Sequence, residues 1–194
     1  MMSWISLTIF RLLLCLCGSY CSGQPYADSL KSLLVSAKED TLKSNVLLGL
    51  GNYYLERDPR AALSYGERAE ALAGELNTKR RAGDIEFVIG GSYAMLGDYS
   101  HAFEHLDRSA EKYALVGDSD KIAFIDRCLS NVLLNVGDTA LALEKSLANL
   151  KYQKSHSAAQ DLAKAIRGVG NAFEGAGKND EAMAYYQRAL VMAK

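Results

Sequence analysis

The chain has 194 residues, is 49% apolar and 23% charged, and carries a formal net charge of −1. Near-neutrality and the lack of any run of Lys or Arg exclude the concentrated basic footprint that nucleic-acid binding needs. Two prolines and eleven tyrosines exclude a disordered chain, and the length suits one ordinary domain.

Residues 1–23 differ from the rest. They contain one charged residue, Arg11, followed by the apolar run Leu12, Leu13, Leu14, Cys15, Leu16, Cys17 and the small-residue site Cys21-Ser22-Gly23. A basic residue, an apolar core and a small-x-small site make a secretory signal, with cleavage expected after Gly23 and the mature protein in the periplasm. A membrane anchor needs about 20 uninterrupted apolar residues, and Arg11 breaks the stretch. Tyr20 is too large for the position before a lipoprotein cysteine. Once Cys15, Cys17 and Cys21 leave, only Cys128 remains, so no intramolecular disulfide is expected. Cys128 reads as a small buried hydrophobe.

Residues 24–39 form a lead-in helix, with Leu30, Leu33, Leu34 and Ala37 at helical spacing and Asp40 placed to cap the next helix. Residues 41–57 form that first long helix. Asp58-Pro59 breaks it, and Pro59 suits the first turn of its successor, which runs from 60 to about 76. Further helix pairs are expected over 78–96 with 99–116, 119–136 with 139–154, and 157–176 with 179–194. Gly97, Gly137 and Gly177 stand where a helix end favours a left-handed glycine. Asp98 and Asp138 come next as caps, and Gly117-Asp118-Ser119 repeats the device.

The pairs recur every forty residues: GDYSHAFEHL from Gly97 returns as GDTALALEKS from Gly137 and GKNDEAMAYY from Gly177. Ile89, Leu129 and Val169 fall in one column, all aliphatic. Gly90, Ser130 and Gly170 are all small; Tyr93, Leu133 and Phe173 are all bulky. Ala62, Ala102, Ala142 and Ala182 are identical. Gly51 precedes Gly90 by thirty-nine, because the Asp58-Pro59 turn is one residue shorter. Fixed periods of this length mean stacked supersecondary units, divided here at about 40–77, 78–117, 118–156 and 157–194. A small residue on the first helix lets its partner approach to the short end of the ~8–10 Å range. Gly49-Leu50-Gly51 and Gly168-Val169-Gly170 therefore read as packing positions. A phosphate loop would need them between a strand and a helix.

At these residues the pattern resembles the tetratricopeptide repeat. Leu50-Gly51-Asn52-Tyr53-Tyr54 with Ala62 and Ala69 looks like one unit, and Val169-Gly170-Asn171-Ala172-Phe173 with Gly177, Ala182 and Ala189 looks like another. The resemblance spans residues 41–194. It departs from the usual unit of about 34 residues and lacks the terminal proline. Longer units of this kind are similar to the exported repeat regions of bacterial sensor histidine kinases and helix-turn-helix regulators. The resemblance implies an all-α fold, a right-handed α-solenoid of four helix pairs. Its inner wall, formed by the first helix of each pair, would hold a protein or peptide ligand.

The wall positions in each pair lie four and then three apart, on one helical face. They include Asn52 in the first pair, Arg127 and Asn131 in the third, and Lys164, Arg167 and Asn171 in the fourth. Asparagine suits the backbone amide of an extended ligand, and the arginine fork suits a carboxylate. His101 and His105 stand one turn apart but lack the fuller ligand set a zinc site uses. No nucleophile and base are brought together. The expected function is therefore non-catalytic partner binding, without cofactor or metal, and with neither nucleic acid nor membrane as partner unless the natural chain continues past Lys194. The alternative is the extracytoplasmic sensory region of a longer signalling protein. Ala182, Tyr186, Ala189 and Leu190 give the last helix an apolar side. Repeat stacks need a polar cap, so self-association through that helix, or further chain, is expected to cover it.

Overall fold

The computed structural model describes residues 24–37, 40–73, 78–156 and 159–192. The expected signal segment, 1–23, lies outside them. Nine helices and no strand occur among the described residues. A lead-in helix α1 (Gln24–Ser36) is followed by four antiparallel pairs: α2 (Asp40–Tyr54) with α3 (Pro59–Ala73), α4 (Lys79–Leu96) with α5 (Tyr99–Ala114), α6 (Ser119–Val136) with α7 (Thr139–His156), and α8 (Ala159–Gly175) with α9 (Asn179–Met192).

The column of alanines organises each pair. Ala62, Ala102 and Ala142 are 0% exposed and Ala182 is 2%. Opposite them stand the small residues of the first helices. A methyl group on Gly51 would lie 2.7 Å from Val88 Cγ1 and 3.6 Å from the Ala62 carbonyl oxygen. One on Gly90 would meet Leu106 at 3.0 Å, and one on Gly170 would meet the Tyr186 ring at 2.6 Å. In the third pair Ser130 takes the glycine's place, and its hydroxyl donates to the Ala142 carbonyl at 2.9 Å. Serine is tolerated there because its polar atom finds an acceptor in a buried site. Around these contacts sit fully buried Leu50, Ile89, Leu129 and Val169, each contributing about 1.5–3 kcal/mol by leaving water.

The turns repeat one solution. Gly97 (φ 82°), Gly117 (69°), Gly137 (86°) and Gly177 (73°) all adopt the left-handed conformation that side chains disfavour. Asp58, Asp98, Asp118 and Asp138 then accept the backbone N–H three residues on, at 3.1–3.3 Å, capping α3, α5, α6 and α7. Asp40, expected as a cap, is instead the first residue of α2. That helix ends at Tyr54 rather than residue 57: residues 55–57 form a turn in which the Arg57 and Asp58 N–H groups both donate to the Tyr54 carbonyl. Likewise α5 stops at Ala114, and α7 runs on to His156.

Successive first helices touch, α2 with α4, α4 with α6, and α6 with α8, whereas the second helices share no contact with one another among the described residues. Elements that touch on one side and splay on the other make a curved stack, with the first helices on its inner wall. This is a right-handed α-solenoid of the tetratricopeptide type. At its start α1 packs on α2, burying Ala27 against Val46 and Leu50.

Gly51→Ala tests the contact between α2 and α4, the first helix of the next pair. Helical preference favours alanine by about 1 kcal/mol, but overlap with Val88 costs about 1–3 kcal/mol. Urea denaturation should show a net loss of stability, and the same change in a Val88→Ala background should instead stabilise. A gain in the wild-type background would mean that the two helices are not in tight contact.

Candidate partner-binding trough

Two adjoining cavities run along the inner wall. The first, about 440 Å³, is bordered by Leu55, by Phe87 and Gly91 of α4, and by Phe124, Arg127 and Asn131 of α6. The second, about 320 Å³, is bordered by Asp120, Phe124 and Arg127, by Asn149 and Gln153 of α7, and by Asp161 and Lys164 of α8. Phe124 and Arg127 belong to both and so mark the join. The residue spacing explains the placement: positions 120, 124, 127 and 131 fall on one stripe of α6.

Phe124 is 39% exposed, unusual for a ring that has a neighbour to pack on. Its partner is Phe87 on α4, with ring centres 5.3 Å apart and tilted by 59°. The Arg127 guanidinium lies over the Phe124 ring, 4.8 Å from its centre. Arg127 makes no ion pair among the described residues, so its fork is held by an aromatic face and left without an acid. A guanidinium stacked in this way keeps its in-plane N–H donors free for a carboxylate. Beside it, Cys128 is partly exposed by area. Even so, burial of its thiol pushes the pKa up, with Arg127 pulling weakly against this, which leaves an unreactive thiol at neutral pH.

The other expected wall residues divide. Asn131 borders the first cavity and is exposed. Asn52 is exposed in the first pair, but its amide donates to the Leu48 carbonyl of its own helix at 3.0 Å, leaving its oxygen to face outward. Lys164 borders the second cavity while pairing with Asp161 at 2.9 Å. Asn171 accepts the Tyr186 hydroxyl at 3.0 Å. Arg167 borders a further cavity of about 500 Å³ with Tyr186, Ala189 and Leu190, and Lys164 lines both this cavity and the second. The sequence treats the fourth pair like the others, yet it has no following pair beside it among the described residues. Tyr186 lies against Gly170 and bonds Asn171 and Glu174, the latter at 2.5 Å. Burial and the bond to Glu174 push the Tyr186 pKa up to about 12, and Arg167 opposes this.

Phe124 is the wall residue that column reasoning omits. It lies forty before Lys164, so extending the Lys164 column back one copy finds it. The two histidines do not converge. His101 Nδ1 meets Asp98 at 2.7 Å, and His105 Nδ1 meets Glu86 on α4, also at 2.7 Å. No group of three metal-ligating side chains gathers among the described residues, and no described helix is long and apolar enough to cross a membrane.

No family model and no curated protein matches the chain. Solved structures do. BtubC (BKLC) from P. vanneervenii is 15% identical, with 91% of this chain and 74% of that chain covered, at a TM-score of 0.76. Kinesin light chain-like tetratricopeptide repeats from Podosopora anserina are 13% identical, covering 96% and 94%, at 0.72. A Rap protein complexed with competence and sporulation factor is 19% identical, covering 91% of this chain and 52% of that one, at 0.75. At these identities the likeness is one of fold, and the fold is that of tetratricopeptide-repeat proteins.

If Phe124 belongs to the wall rather than the core, Phe124→Ala should cost only about 1 kcal/mol, the value of one aromatic contact. Leu129→Ala, in the same helix but fully buried, should cost about 2–5 kcal/mol. Equal losses in chemical denaturation would return Phe124 to the core.

Proposed function

We propose that the chain is an exported, non-catalytic binding module whose trough holds an extended segment of a partner protein or peptide. Arg127 carries this reading: an arginine without an acid partner among the described residues, laid on an exposed phenylalanine where two cavities join. A bound segment would set an apolar side chain against Phe87 and Phe124 and a carboxylate at Arg127. Asn131 and Asn52 would take its backbone amides, and Lys164 would steer the far end. The Rap protein, which shares this fold, is complexed with competence and sporulation factor.

A second reading keeps the trough and changes its setting. The outer face of α9 exposes Met183, Leu190 and Val191 at 57%, 63% and 74%. Exposed apolar side chains along one helix face suit a further element. In that reading the repeats form the extracytoplasmic sensory region of a longer signalling protein, or two copies meet through α9. Gene sequence past Lys194 separates these: a hydrophobic span followed by an output domain supports the sensor, and a stop codon refers the face to self-association.

Two measurements test the main reading. Peptides selected by display against the wild type should carry an acid or terminal carboxylate next to an apolar residue. Arg127→Ala should weaken them about tenfold or more, the value of one charge-assisted bond. Unchanged affinity would remove Arg127 from the site. For export, N-terminal sequencing of protein from the periplasm should begin at Gln24; an intact Met1 would reject the signal.

A further inference from the structure

The internal repeat exposes a position that one copy leaves empty. On the second helices, residues 68, 108, 148 and 188 form a column forty apart: Arg68, Arg108, Ala148, Arg188. In the first and last pairs the guanidinium lies over a tyrosine of its own helix, Arg68 on Tyr65 at 5.5 Å and Arg188 on Tyr185 at 5.1 Å. The residue opposite on the first helix is apolar in both, Leu47 and Ile166. In the second pair the tyrosine column holds His105 and the opposite residue is Glu86. Arg108 Nε donates to Glu86 Oε2 at 3.2 Å, and its terminal nitrogen lies 2.9 Å from the His105 ring.

The third pair keeps the acid and loses the arginine. Asp126 stands where Glu86 stands, and Lys145 where His105 stands, with 3.4 Å between Nζ and Oδ1. Ala148 replaces the arginine. A cleft of about 390 Å³ opens at that place, with Asp126 and Ala148 among its lining residues and Ile122, Ala123 and the Tyr152 ring beside them. The Tyr152 ring is held in place by its hydroxyl bond to Asp120 at 2.8 Å and by the stacked His156 ring. This size suits one small group, at the low end of ligand pockets.

We propose that the cleft between α6 and α7 is a guanidinium-binding site, taking from outside the chain the arginine that the other three copies supply from their own. Asp126 is buried and faces only Lys145 within ion-pair distance among the described residues. Burial pushes its pKa up and outweighs Lys145, which pulls it down, while Asp107 and Glu144 add smaller upward pushes. Lys151 also lines the cleft, and its charge limits the affinity for a cation. A carboxylate with an apolar wall and a flat ring prefers a planar, weakly hydrated cation over an ammonium. The cleft shares no lining residue with the trough, so the two sites stand or fall separately.

The test is an NMR titration of the whole chain with N-acetyl-arginine amide and its neutral isostere, N-acetyl-citrulline amide. Saturable millimolar shifts should centre on the Ala148 and Tyr152 amides with the arginine compound, and binding should be about tenfold weaker with citrulline. Ala148→Arg should abolish the shifts and raise the melting temperature, because the cleft is then filled as Arg108 fills its own. Arg127→Ala should leave them unchanged. Free L-arginine distinguishes the sources: binding tighter than the blocked compound marks a small-molecule site, and weaker binding marks a side chain presented by a partner. No saturable shift with any arginine compound, equal binding of citrulline, or undiminished binding by Ala148→Arg would overturn the proposal.

Discussion

The structure depends on how closely the two helices of each pair approach. A small residue on the first helix lies against the second, and four pairs make this contact in four ways. In the first pair Gly51 lies near the Ala62 carbonyl, and Val88 of the next pair enters against both Gly51 and Gly66. The second sets Gly90 on Leu106, the third bridges Ser130 to a carbonyl, and the fourth lays Tyr186 on Gly170. Packing of this kind is sensitive to single methyl groups, because interiors have no slack to absorb them. It also fixes the position of each pair on the last, so the chain reads as repeated nearest-neighbour contacts.

Curvature arises from that contact. The first helices crowd together and the second helices splay, so wall residues from α4, α6 and α8 converge on one trough. Polar links add to the packing. Between neighbouring pairs Arg80 meets Asp118 at 2.5 Å and Lys121 meets Asp84 at 3.6 Å, and within the second pair the buried Tyr113 hydroxyl donates to Asp84. Burial, with that bond, pushes the Tyr113 pKa well up, so the hydroxyl stays a donor at any physiological pH.

The period of forty, the glycine turns and the caps at Asp98, Asp118 and Asp138 were legible in the sequence, because each is a local demand of backbone geometry repeated at fixed spacing; the expected cap at Asp40 was not found. The spacing of Arg127 and Asn131 on α6 placed them on one face, where both border the first cavity. What surrounds the α8 residues was not legible. Arg167 and Asn171 keep the same register, but no further pair stands beside them among the described residues, and Tyr186 turns inward to engage Asn171. A column repeat encodes a residue's direction on its helix; what stands opposite depends on the next pair. The arginine column was equally visible in sequence as Arg68, Arg108 and Arg188. Its meaning needed coordinates, because only a cleft shows that Ala148 leaves space rather than a collapsed core.

One claim stands above the others: the crowded first helices form a binding wall with Arg127 at its centre. A crystal structure of the chain with a display-selected peptide tests it most directly. The peptide should lie across α4, α6 and α8, with a carboxylate at the Arg127 guanidinium and an apolar side chain on Phe124. A peptide seated on the splayed second helices, with the inner wall empty, would contradict it.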